Sequence, residues 1–301
     1  MSSRFQMKYN IKLTLFLLAM FVATQLIGVY VVNYYLGQPG LPYGMTPPQA
    51  EKEADFYTNF LPSLIISFVI AIALLFLLMK FKSEFILKLW FFIVIAIALG
   101  ITFLSFIPDF KYSSLIILAI TLPLAFIKIY KRNFIVHNAT ELFVYPGIAA
   151  VFVPILNMWT AVILLILISI YDMWAVWRSG IMQRMAKYQM NKLKIFAGFF
   201  VPYASKKVKE QIRNMKKSDL KKKKIKINLA ILGGGDIIFP IIAAGVVLKN
   251  FGLSHALFVT LGATLGLAFL FSKAEKKKFY PAMPFITAGI FLGMILGYLI
   301  L

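Results

Sequence analysis

Eight of the eleven acidic residues in this 301-residue chain fall in polar or basic stretches; the other three, Glu141, Asp172 and Asp236, adjoin or interrupt long apolar runs. Burying a carboxylate at mid-helix in hydrocarbon costs several kcal/mol, so an intramembrane acid is a functional candidate by default. Glu141 has a simple explanation: Asn138 precedes it by three, and an Asx cap with Glu at the third helical position reads as a capping box opening a helix. Asp172 and Asp236 have none. Two carboxyls brought together at low dielectric share one proton and titrate as a pair. Such a pair can activate a water with one member while the other donates a proton to a scissile carbonyl. A proton relay or ion site in a transporter or leak channel uses buried acids equally well, and these two residues alone leave both chemistries open.

The neighbours of Asp236 favour hydrolysis. Gly233, Gly234 and Gly235 precede it and Pro240 follows. Read as helix, each glycine costs about 1 kcal/mol relative to alanine, and together they let another chain approach the backbone. Pro240 has no N–H, so the carbonyl of Asp236 loses its usual helical donor. A third element, Tyr280-Pro281-Ala282-Met283-Pro284, follows Lys276, Lys277 and Lys278. Its prolines oppose a regular helix start and leave polar backbone for an extended partner.

Residues so placed need helices to carry them. The chain is 61% apolar and 14% charged, with a mean hydropathy of +0.84, against about 25% charged residues in soluble domains. A span needs about 20 apolar residues. The charge-free runs predict nine: 13–35, 60–79, 89–107, 113–127, 142–156, 158–177, 227–248, 253–272 and 281–301. Threaded from a cytoplasmic N-terminus, they put 29 of the 32 Lys and Arg on one side, with only Lys52, Lys111 and Lys249 opposite. This positive-inside bias predicts that the C-terminus lies outside. It also accounts for the net charge of +21 as lipid orientation and attraction to anionic headgroups, with no nucleic-acid partner. The run from Leu13 to Val32 is too long for a signal-peptide core and reads as a retained anchor. With no cysteine and only His137 and His255, neither thiol chemistry nor a metal site is expected.

Depths along the sixth and seventh spans agree. Asp172 stands six residues before Arg178, about 9 Å at helical rise, and Asp236 ten residues past Lys226, about 15 Å. Both acids then lie in the cytoplasmic half. The basic loop 178–226 divides the chain into a six-span part, 1–177, and a three-span part, 227–301. Its segment 181–203 mixes Met and Phe with basic residues, which suits a helix at headgroup level or an extension of the sixth span; a solvated basic loop held at the lipid surface is the plainer reading, and a plug at a substrate entrance the sharper one. Gly262 and Gly266, with Gly289, Gly293 and Gly297, are spaced for close helix packing.

Tyr171-Asp172, Gly233-x-Gly235-Asp236 and Pro281-Ala282-Met283-Pro284 are similar to the YD, GxGD and PAL motifs of presenilin and signal peptide peptidase, the GxGD intramembrane aspartyl proteases. Motif order, nine spans and the long loop between spans six and seven extend the resemblance over essentially the whole chain. It implies an all-α polytopic membrane fold with nine transmembrane helices and Asp172 and Asp236 as the catalytic pair. It also implies substrate contacts at Tyr171, Gly233, Gly234, Gly235, Pro281, Ala282, Met283 and Pro284. Substrates are then transmembrane proteins or peptides whose helix unwinds locally, no cofactor is needed, and the setting is a prokaryotic cell membrane. Met283 stands where the family usually has leucine, a swap of similar volume. Pro284 and the cytoplasmic N-terminus lean towards the presenilin branch, because signal peptide peptidase has the inverse topology. Other membrane proteases fit less well. Ser254-His255 lies at the outer edge of the eighth span, no HExxH string occurs, and prepilin-type peptidases have fewer spans.

Overall fold

The computed structural model describes residues 11–45, 62, 63, 66, 70, 73, 84–108, 110–131, 133–179, 196–203, 228–274 and 280–301. Eight helices among them are long and apolar enough to cross a membrane. They are α1 (Ile11–Leu36), α2 (Glu84–Leu104), α3 (Ser113–Tyr130), α4 (Phe134–Phe152), α5 (Met158–Trp174), α6 (Gly234–Phe251), α7 (Leu253–Lys273) and α8 (Met283–Ile300). The expected second span, 60–79, lies almost wholly outside the described residues, as does most of the 178–226 loop. Large apolar side chains such as Trp90, Trp159, Trp177 and Tyr298 are exposed on the outside of the bundle, as hydrocarbon solvent requires.

At the centre stands α6, which packs against α1, α4, α5, α7 and α8. From Pro240 to Leu248 every residue is buried, so this helix is apolar all round, as a helix enclosed by others must be. Two polar side chains tie it down. Gln25 on α1 donates Nε2–H to the Ile237 carbonyl at 2.9 Å, and Lys249 at the far end donates to the Pro154 carbonyl at 3.1 Å. Gly252, at φ 90°, turns the chain from α6 into α7 in one residue, a conformation that a side chain would strain.

Small residues join α7 to α8 as their spacing predicted. A Cβ on Gly262 would land on the Gly289 backbone, one on Gly266 on Phe285, and one on Gly293 on Phe258. The two backbones are therefore in direct contact, the arrangement that packing in lipid rewards.

The chain is mostly helical, with one departure from the all-α expectation among the described residues. β1 (Gly198–Tyr203) and β2 (Asn228–Gly233) form an antiparallel pair, with Gly198 opposite Gly233 and Tyr203 opposite Asn228. Residues 198–203, expected at the end of a headgroup helix, are strand; 180–195 lie outside the described residues. The first six residues described of the expected seventh span are strand as well. The run that reads "NLAILG" is apolar without a break, a pattern shared by buried strands and helices.

A second correction concerns Glu141. The helix expected to open there begins at Phe134, capped by the Asn133 side chain, which accepts from the amides of Ile135 and Val136. Glu141 instead lies two turns inside α4 and pairs with Lys128 of α3 at 2.5 Å, both side chains being buried. The carboxylate is neutralised by a residue on a neighbouring helix, which local spacing does not reveal. Lys128, assigned by sequence to the cytoplasmic basic band, is an interior residue.

Candidate active site

Asp172 sits on the last turn of α5, before a π-helical turn at Ala175–Ser179, and is buried. Its Oδ2 accepts the Met283 amide hydrogen at 3.0 Å. One turn earlier on α5, the Ser169 hydroxyl donates to Thr287 Oγ1 at 2.9 Å, and Thr287 lies one turn beyond Met283 on α8. Two polar links thus join α5 to α8 at the level of the acid. Ser169 and Thr287 were not singled out from sequence; their three- and four-residue spacing from Asp172 and Met283 is the signal that marks them.

Asp236 lies in the first turn of α6 and is also buried. Gly233, still extended at φ −66°, ψ 150°, caps the helix. The expected mid-helix position is therefore corrected: Asp236 stands at a strand-to-helix junction, and helical rise does not measure its distance from Lys226. The glycines escape the cost of a helix interior, and each has its own surroundings. A Cβ on Gly233 would lie 3.1 Å from Asp236 Oδ2, and one on Gly234 only 2.7 Å from the Tyr145 hydroxyl. Gly235 is exposed, and a Cβ there would meet nothing closer than Phe239 at 3.7 Å.

Asp172 and Asp236 are both buried, and their helices α5 and α6 pack together. Pro281, Ala282 and Met283 are buried beside them. Pro284 occupies the first turn of α8, where its missing N–H costs nothing. Tyr171 differs: it is 36% exposed, with its ring tilted against Trp174 at 6.2 Å. The structure thus brings together the two aspartates, the Gly233–Gly235 run and the Pro281–Met283 turn, and sets Tyr171 at the margin.

Chemically, the arrangement offers two enclosed carboxyl groups with backbone amides around them. No group of three or more acidic, His or Cys side chains that would hold a metal occurs among the described residues.

Comparison with known proteins agrees with this construction. Residues 19–301 match the family described as "Signal-peptide peptidase, presenilin aspartyl protease". The fold is similar to that of a presenilin family intramembrane aspartate protease solved in space group C222. The TM-score is 0.61 at 17% identity, over 96% of this chain and 99% of that one. A structure in space group P2 gives 0.62 at 18% identity, over 95% and 98%. No curated protein matches by sequence. The motifs at Asp172, Asp236 and Pro281, the bundle that carries them and the match over nearly the full length lead to one assignment: this chain belongs to the signal-peptide peptidase and presenilin family of intramembrane aspartyl proteases.

Proposed function

We propose that the protein hydrolyses peptide bonds in transmembrane helical substrates, with Asp172 and Asp236 as a general acid/base pair of the GxGD type. The observation that carries this reading is the burial of two acids on helices that pack together, one of them bonded to the turn that opens α8. In the reaction one carboxylate takes a proton from water as its oxygen attacks the scissile carbonyl carbon. The other, protonated, gives its hydrogen to the carbonyl oxygen. Collapse of the tetrahedral intermediate breaks the C–N bond as the departing nitrogen receives a proton, and the shared-proton state is restored.

A substrate must present an extended segment to such a pair. Three features support that mode: the exposed backbone at Gly235, the edge of β2 that faces away from β1, and the non-helical Pro281–Ala282. Gly233, Gly234, Pro284 and Tyr171 complete the proposed contact region, Tyr171 at its entrance. A nine-span topology with the N-terminus in the cytoplasm follows from the distribution of Lys and Arg, and the basic loops are then positioned on anionic headgroups.

The test is cleavage of reconstituted single-span peptides, with products identified by mass spectrometry. Asp172→Asn and Asp236→Asn should each lower turnover by about 10²–10⁴-fold or more while the protein stays folded. Near-normal turnover in either variant removes the pair.

A further inference from the structure

The strand that pairs with the one leading into Asp236 is held by a helix that takes no part in the proposed chemistry. On α4, Asn138 meets both backbone groups of Phe200 in β1: its Nδ2 donates to the Phe200 carbonyl at 2.9 Å, and its Oδ1 accepts the Phe200 amide at 3.1 Å. A side-chain amide carries the donor and acceptor of a peptide unit, so Asn138 acts as one residue of a third strand. Beside it, His137 Nε2 lies 2.9 Å from the Gly198 carbonyl. A carbonyl only accepts, so Nε2 carries the hydrogen. Behind this pair stands the buried Lys128–Glu141 ion pair, with Glu141 Oε1 at 3.6 Å from the same His137 nitrogen.

Strand alternation gives these contacts their consequence. In an antiparallel pair, successive residues point their backbone groups to opposite edges. Gly198, Phe200 and Pro202 therefore share the edge of β1 that faces away from β2. On that edge His137 takes the Gly198 carbonyl, Asn138 takes both groups of Phe200, and Pro202 has no N–H to offer. Polar plugs and proline are how sheet edges are closed to further strands. The opposite faces of Phe199 and Val201 remain for β2. β2 then passes into α6 through Gly233, whose neighbour Gly234 donates its amide to the Ala197 carbonyl at 3.1 Å.

We propose that His137 and Asn138 are positioning residues for proteolysis: they hold the β1–β2 hairpin in place before substrate arrives, so that the edge of β2 that faces away from β1 and the Gly233–Asp236 junction meet an incoming chain already ordered. A two-stranded hairpin alone is marginal, and without the clamp each substrate molecule must supply the cost of ordering it. The clamp touches neither aspartate and acts on substrate affinity. This inference rests on the protease reading above.

The experiment measures cleavage kinetics and amide exchange together. Asn138→Leu removes both bonds to Phe200 and should raise KM about tenfold, with kcat within about twofold of wild type. His137→Leu should raise KM about threefold. His137→Gln, which keeps a donor close to the Nε2 position, should restore it. In the wild-type protein without substrate, the Phe200 amide should exchange roughly a hundredfold or more slower than an unstructured amide. An unchanged KM in Asn138→Leu, or a loss confined to kcat, overturns the proposal. So does free exchange at Phe200 in the wild type, a measurement that stands even if the leucine variants fail to fold. A wild-type protein that cleaves no peptide refutes the proposed function instead, and the exchange at Phe200 still judges whether the clamp exists.

Discussion

The Met283 amide hydrogen points at Oδ2 of Asp172 across 3.0 Å, so the turn that opens α8 is fastened to one of the two acids. Ser169 and Thr287 repeat the connection a turn away. The position of Asp172 is set by two helices at once, its own α5 and the start of α8.

If that fastening orients the acid, the neighbouring hydroxyl pair supports it. Ser169→Ala and Thr287→Val should each lower stability by about 0.5–1.5 kcal/mol and reduce kcat severalfold, and the double variant should cost less than the sum of the two. Additive effects in a double-mutant cycle would show that the two hydroxyls act independently.

The pH profile of cleavage should be bell-shaped. At low pH both carboxyls hold a proton and no base remains to activate water. At high pH both are ionised and no hydrogen is available for the carbonyl oxygen. Activity therefore falls on both sides of the range in which the pair holds one proton. A flat kcat/KM over all pH values at which the protein stays folded would contradict shared-proton catalysis.

The buried Lys128–Glu141 pair makes a separate prediction about stability. Lys128→Met alone leaves Glu141 without its cation and should cost about 3–5 kcal/mol, as should Glu141→Leu, which strands the lysine. Combining the two removes both charges and should recover most of that loss. Thermal unfolding in detergent of the four proteins tests this, and a double variant no more stable than either single one counts against a buried ion pair.

Direct backbone contact between α7 and α8 predicts low tolerance at the glycines. Gly262→Ala forces a methyl onto the Gly289 backbone and should cost about 1–3 kcal/mol, the range for overpacking. Gly235→Ala has room for its methyl, so it should leave stability near wild type; if Gly235 lies under the substrate, cleavage falls nonetheless. Measuring unfolding and turnover on both variants separates packing from access.

Much of this architecture was legible from residue patterns because hydrocarbon imposes simple ones. Long charge-free runs marked the described helices, four-residue glycine spacing marked the α7–α8 contact, and isolated acids marked Asp172 and Asp236. The hairpin was not legible. Phe199, Phe200 and Val201 suit a lipid-surface helix as well as a strand, and Leu229 to Leu232 are as apolar as a span. What selects strand is tertiary: Asn138 and His137 are sixty or so residues away in sequence, and nothing near β1 announces them. Glu141 was misread for the same reason. Its spacing from Asn138 suits a cap, yet its partner is on another helix, and Asn138 is engaged by a strand.

Gln25 grips α6 just beyond Asp236, and Lys249 fastens its opposite end to the Pro154 carbonyl. A rod fixed near both tips has little freedom to slide along its own axis. Admission of a substrate then falls to a part that this rod does not carry, the start of α8. Spin labels on α1 and α6 should keep their separation when a peptide binds, while a pair spanning α6 and Tyr280 should change theirs.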